Sequence, residues 1–267
     1  MNITIGQYYP TDSIIHRLDA RVKIMGTFLY IAAIFIAKGI VGYALSILML
    51  AVVIHLSRVP VKMLLNGLKP IIIIIVFTVT LNVFFTQGEQ VLWQYGILKI
   101  TTEGILQAIK LAVRLILLIM GSSILTLSTT PIQLTVGMEY LLKPYKKIGV
   151  PAHEIAMMTS IALRFIPTLV EELDKIRKAQ TARGADFDTG GLIKKAKSLI
   201  PLLVPLFVSA FRRADELAMA MEARCYRGDI NRTRMNEPVF EKRDYAAISI
   251  MLVFVFAVLL IRLIWGL

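Results

Sequence analysis

The 33 residues from Ile24 to Leu56 carry a single charge, Lys38, with Gly39 and Gly42 close behind it. One membrane span needs roughly 20 apolar residues, so this run is too long for one helix and reads as a hairpin of two. Three more runs follow. Ile71 to Gly88 is 18 uncharged residues whose β-branched content would also suit a buried strand, but whose length favours a spanning helix. Leu111 to about Leu127 forms a fourth span, and Tyr245 to Ile261, 17 uncharged residues before Arg262 and Trp265, a fifth. The chain is therefore expected to be an all-α polytopic membrane protein with about five transmembrane helices. Composition agrees: 57% of residues are apolar and 18% charged, against about 45–50% and about 25% in soluble domains.

The loops give direction, because short cytoplasmic loops carry the excess of Lys and Arg. Arg17, Arg21 and Lys23 precede the first span, and Arg58, Lys62 and Lys69 lie between the second and third, whereas the opposite side shows Lys38 and Lys99. The N-terminus is expected in the cytoplasm and the C-terminus outside, where Trp265 would anchor the interface. Met1 to Lys23 holds six titratable side chains from Asp12 to Lys23, not a basic start followed by an apolar run, so targeting is expected to rest on the spans themselves. The net charge of +12 suits topology and a partner surface better than nucleic acid, whose binders are not expected to carry several near-spanning runs. The single cysteine, Cys225, excludes an intramolecular disulfide and a cysteine-based zinc site.

Between the fourth and fifth spans, Pro131 to Arg243 holds 19 of the 30 basic and 13 of the 18 acidic residues. The expected organisation is a membrane region at 1–130, a cytoplasmic region at 131–243 and a last span at 244–267. Within the cytoplasmic region, charges alternate with apolar stripes of helical period, giving long amphipathic helices. One is expected to open near Pro167 and run to Thr181, with Leu169, Leu173 and Ile176 on its apolar face. The run Leu199 to Phe211 has 13 uncharged residues, too short to span and suited to an interface or to burial in protein.

A displacement of 41 residues places Asp174 on Asp215, Ala179 on Ala220 and Ala182 on Ala223. The two helix ends then read Thr181-Ala182-Arg183-Gly184 and Glu222-Ala223-Arg224-Cys225. Taken singly, an arginine in a last turn followed by glycine is ordinary C-terminal capping. A matched pair inside one cytoplasmic segment suggests more, since arginine offers a charged, forked donor to a carboxylate in a partner's groove. The chain has no G-x-x-x-x-G-K-[ST] loop, and Gly190-Gly191 followed by Leu192-Ile193-Lys194-Lys195 has the wrong order for one, so it is not expected to bind or hydrolyse ATP.

These residues, with Gly6-Gln7-Tyr8-Tyr9-Pro10 and His16-Arg17-Leu18-Asp19-Ala20-Arg21 near the start, resemble over nearly the whole chain the transmembrane T component of energy-coupling factor transporters, a CbiQ-like family of bacterial and archaeal membrane importers. The paired Ala-Arg-Gly motif is the strongest match: Ala182-Arg183-Gly184 is intact, and Ala223-Arg224-Cys225 departs at the glycine, with Gly228 three residues later. The resemblance implies a non-enzymatic coupling subunit without a cofactor. Its two helix ends would seat Arg183 and Arg224 in grooves of two ATP-binding-cassette ATPases, A and A′. A small substrate-capturing membrane S component would ride on its helices for vitamin uptake. A dedicated cobalt or nickel T component is the alternative. A self-sufficient secondary transporter is disfavoured, because its repeats would lie in the membrane halves.

Other residues have plainer readings. Lys110 and Arg114, near the start of the fourth span, are expected to snorkel to the interface, with Glu103 close enough to pair. His16, His55 and His153 are scattered, and His153-Glu154 lacks the second histidine of a helical zinc site, so no metal is expected. Gly121-Ser122-Ser123 lacks a nucleophile elbow. Asp186 and Asp188 suit a solvated loop. Ala214, Ala218 and Ala220 are small enough for a close helix crossing.

Overall fold

The computed structural model describes residues 8–86, 91–95, 98–187, 191–228 and 237–265. Among them the regular elements are helices and one two-stranded hairpin. The chain divides into two compact units, one of Met1–Leu141 with Glu237–Leu267 and the other of Leu142–Asn236.

The first unit is a membrane-type bundle. Its elements are α1 (Ala20–Ile36), α2 (Gly39–Ser57), α3 (Val61–Leu68), α4 (Ile72–Phe85), β1 (Val91–Tyr95), β2 (Leu98–Thr101), α5 (Thr102–Ser128), nearly all of α6 (Pro131–Leu142) and α10 (Lys242–Trp265). Helices α2, α5 and α10 are each long and apolar enough to cross a membrane. Helices α3 and α4 together make a fourth candidate, bent by 61° at Lys69-Pro70, where proline cannot continue the helical hydrogen bonding. At 17 residues, α1 lies at the short end of spanning lengths, about 17–25 residues. The hairpin expected at Ile24–Leu56 is present, with its turn at Ala37-Lys38.

The core forms where α1, α2, α5 and α10 meet. Tyr30, Ala33 and Ile34 of α1, Leu50 of α2, Leu117, Ile124 and Leu127 of α5, and Phe254 and Val258 of α10 are all buried there. Tyr30 stacks on Phe254 at 6.1 Å between ring centres. Gly121 is what lets it fit: a Cβ at that position would stand 2.5 Å from the Tyr30 ring. Elsewhere apolar side chains face outward. Only 11% of the most apolar stretch of α10 is buried in the protein, as expected where lipid is the solvent.

Three local expectations are revised. The β1–β2 hairpin, paired antiparallel from Tyr95–Leu98 to Val91–Thr101, was not anticipated; it leads directly into α5, whose first turn Thr101 caps by accepting the Gly104 N–H at 3.1 Å. The third span is shorter than the 18-residue run, because α4 ends at Phe85 after 14 residues. Arg114 does not snorkel: its guanidinium donates to Tyr43 Oη at 2.8 Å and lies over the rings of Phe35 and Tyr43, which ties α5 to α1 and α2.

The second unit holds a 3₁₀ turn (Lys143–Ile148), α7 (Ala152–Ala182), α8 (Leu192–Ser198) and α9 (Ile200–Ala223). Helix α7 does not open near Pro167. It runs through it for 31 residues. Pro205 likewise lies inside α9, whose first half is the run Leu199–Phe211.

Candidate coupling site

Ala182 and Ala223 are the last helical residues of α7 and α9, and Arg183 and Arg224 are the caps that follow. The two caps have nearly the same backbone, φ −87 and ψ 8 at Arg183 against φ −91 and ψ 13 at Arg224. The next residue is left-handed in both: Gly184 at φ 85 and Cys225 at φ 55. Each end closes with the same pair of backbone hydrogen bonds. The N–H of Gly184 donates to Thr181 O and that of Ala185 to Gln180 O, both at 3.0 Å. The N–H of Cys225 donates to Glu222 O at 2.8 Å and that of Tyr226 to Met221 O at 3.0 Å. Both are complete Schellman caps, so the last carbonyls are satisfied by the backbone and the arginine side chains are not needed for capping.

Glycine serves the first end through its dihedral. A Cβ on Gly184 would meet nothing within 4 Å in this chain, so close packing there does not demand it. Cys225 takes the same conformation with a side chain, at the steric cost that left-handed L-residues bear. Arg183, Gly184, Arg224 and Cys225 are all exposed, and among the described residues neither arginine has an ion-pair partner.

Helices α7 and α9 pack against each other in antiparallel fashion. At mid-length Ser209 Oγ donates to Glu172 Oε1, and Arg213 Nη2 reaches Glu172 Oε2 at 3.5 Å while its guanidinium lies over Phe165. At one end Tyr226 Oη donates to Met157 Sδ at 2.9 Å and sits 3.4 Å from His153 Nε2. The 41-residue displacement that superposes the helix ends also carries Glu172 onto Arg213. Equivalent positions of the two helices thus meet each other, as they do beside a local two-fold axis. Arg183 and Arg224 fall at opposite ends of the pair. Arg224 is two residues from Tyr226, which touches Met157, and Arg183 lies 26 residues along α7 from Met157. At about 1.5 Å per residue, the two arginines stand up to roughly 39 Å apart.

The face α9 turns inward carries Leu202, Leu206, Ser209, Arg213 and Leu217. Ala214, Ala218 and Ala220 are exposed, so these alanines do not make the α7 crossing. Most of the apolar first half of α9 is uncovered within the unit, with Phe207 60% and Phe211 68% exposed. Asp186 lies just past the first cap, while Asp188 and Gly190 fall outside the described residues.

The motif His16 to Arg21 has a different place. It forms a polar knot at one end of the membrane-type unit. Asp19 caps α1, accepting the Arg21 N–H at 2.8 Å, and its own N–H donates to buried Asp244 of α10 at 2.9 Å. Arg21 is held between the rings of Tyr140 and Phe240, each 4.4 Å away, and donates to Pro238 O. Lys23 Nζ donates to His16 O at 3.0 Å and Ser128 O at 2.9 Å. His16 bridges Ser13 Oγ and Tyr9 O. The knot joins the N-terminal segment, α1, α5, α6 and α10, and nothing in it resembles a catalytic set. Sequence reasoning found the motif but not this role, because its partners at Ser128, Tyr140, Phe240 and Asp244 are remote along the chain.

A family model described as CbiQ, cobalt transport protein, matches residues 11–235. The energy-coupling factor transporter transmembrane protein EcfT of Clostridium kluyveri is 53% identical over 266 residues, covering 99% of this chain and 98% of that one. The protein of the same description from Ruminiclostridium cellulolyticum is 54% identical over 261 residues, 98% of this chain and 97% of its own. That of Bacillus subtilis is 47% identical over 252 residues, 94% and 95% of the two chains.

Proposed function

The chain belongs to the CbiQ family, with the energy-coupling factor transporter transmembrane proteins as its relatives, and on that premise we propose that it couples two ATP-binding-cassette ATPases to substrate import. The supporting observation is the pair of matched helix ends. Two exposed arginines without an ion-pair partner among the described residues, on closely matched caps related by a local two-fold and up to roughly 39 Å apart, cannot enter one pocket. They suit two equivalent receptor grooves on two homologous subunits. Schellman closure leaves each guanidinium free to meet a carboxylate, and the Glu172 junction lets the antiparallel pair move as one strut. Closure of the ATPases on ATP would turn this strut, which carries the exposed apolar half of α9 with it. That face is the seat we assign to the substrate-capturing S component, with vitamins as the cargo class. The N-terminus lies in the cytoplasm in this reading, on the side where Arg17, Arg21, Lys23 and Arg58 gather. The chain itself performs no ATP chemistry.

The test is co-expression with a candidate ATPase pair and tag capture of wild type, Arg183→Glu, Arg224→Glu and the double variant. Each single reversal is expected to weaken capture by about 2–5 kcal/mol, the range for disrupting a buried interfacial charge pair. The double variant should lose both ATPases. Full retention in the double variant would return both arginines to surface positions and remove the coupling reading. The family description names cobalt, which favours as a second reading a dedicated metal-importing component, for cobalt or nickel. Uptake of labelled cobalt against labelled vitamins, with the ATPases and S component present, separates the two.

A further inference from the structure

Between α1, α2, α5 and α10 the membrane-type unit holds a cleft of about 330 Å³, within the range of ligand pockets, about 300–1,000 Å³. Gly26, Tyr30, Val53, Ile124, Ala247 and Met251 are among the residues that line it. Its flanks carry Met25, Val52 and Ile250, whose exposed side chains face what would be hydrocarbon. The cleft is apolar nearly throughout. The exceptions lie at one end, where α1 and α10 begin and α2 and α5 finish. There Lys23 and Arg243 join the lining. Lys23 Nζ spends two of its three N–H groups on His16 O and Ser128 O, which leaves one. Arg243 donates to Glu241 through Nη2 at 2.9 Å, while its Nε is buried and has no hydrogen-bond acceptor among the described residues.

We propose that this cleft binds an anionic phospholipid, one acyl chain lying between the helices and the phosphate meeting Lys23 and Arg243. A peptide is the wrong occupant, since its backbone N–H and C=O groups would find no partners along apolar walls. An acyl chain needs none. The two cations complement a phosphodiester, since both Lys23 and Arg243 line the cleft and each offers charge-assisted donors to a phosphate oxygen. Arg58, at the end of α2, adds positive charge at the same end of the bundle. This inference does not depend on the coupling role proposed above, because no residue of α7 or α9 contributes to the cleft.

The experiment reconstitutes the full chain in bilayers of equal phosphatidylglycerol and phosphatidylcholine, re-extracts it in mild detergent and measures retained lipid by mass spectrometry. Wild type is expected to retain phosphatidylglycerol in preference to phosphatidylcholine. Arg243→Gln should lower that preference roughly tenfold, the loss of one charge-assisted hydrogen bond, while still holding lipid. Ala247→Phe, whose ring fills the cleft, should lose the retained lipid with both headgroups. Equal retention of the two lipids by wild type overturns the assignment, as does unchanged retention in folded Ala247→Phe. If Ala247→Phe does not fold, Arg243→Gln decides alone: an undiminished preference overturns it.

Discussion

A side chain in the left-handed helical region costs about 1–2 kcal/mol, and Cys225 holds φ 55 where its counterpart Gly184 holds φ 85. Cys225→Gly is therefore expected to stabilise the chain by about 1 kcal/mol and Gly184→Ala to destabilise it by a similar amount, read as opposite shifts in thermal unfolding midpoint. A second residue-scale effect concerns His16. Burial holds its imidazole below the ordinary value; the Tyr9 carbonyl opposes this and the nearby Lys23 charge adds to it. The unfolded chain then takes up the proton at higher pH than the folded one. The stability from neutral His16 is complete above roughly pH 6.5 and is lost as pH falls through the folded-state value below that. The unfolding midpoint of wild type should drop on acidification below this point, and His16→Gln should flatten that part of the curve. At this scale the arginines were legible, because a 41-residue repeat marks Arg183 and Arg224 together. The left-handed turn at Cys225 was not. Nothing in a cysteine announces positive φ, and Gly228, itself at φ 72, stood nearby as the more obvious place for one.

Among the elements, apolar length was a sufficient signal for α2, α10 and, despite Arg114 within its run, α5, since only helices satisfy their own backbone in lipid. It failed where local and tertiary forces disagree. Pro167 removes one hydrogen bond from α7 and reads as a boundary, yet the helix continues past it. Packing of α7 against α9 through Phe165, Glu172 and Arg213 outweighs the missing bond. The β1–β2 hairpin escaped notice because its strands of five and four residues are too short to show a period. The Glu172–Arg213 junction was within reach, since the repeat superposes those two positions, but opposite charges at equivalent sites do not register as similarity. The α1–α5 contact allows a direct check. Gly121→Ala would press a methyl group against the Tyr30 ring, which Phe254 holds in place. Overpacking of this kind costs about 1–3 kcal/mol. The variant should unfold at lower temperature, and a second change, Tyr30→Leu, should recover part of the loss.

For the molecule as a whole, apolar side chains face outward along α10 and again along the first half of α9. Lipid can cover the first, but the run on α9 is too short to span, which is why the coupling proposal gives that face a protein neighbour. The helices of the membrane-type unit also differ in reach. Helix α4 has 14 residues beside the 27 of α5, against which it packs. At about 1.5 Å per residue α4 measures roughly 21 Å, and α3, bent from it by 61°, extends that span by only part of its own length, so this flank is a short one against a hydrocarbon layer about 30 Å thick. The bilayer has to dimple on that flank or leave helix ends exposed to acyl chains, at a cost that grows with membrane thickness. The chain should accordingly unfold at higher temperature in short-chain phosphatidylcholine bilayers than in long-chain ones, and an equal midpoint in both would show that α4 is matched some other way. A dimple of this kind is a property of the surrounding lipid as much as of the protein: other membrane proteins with short spans would relieve the same deformation by gathering there, so the bend at Pro70 gives the chain a way to draw neighbours along one side before any surface touches.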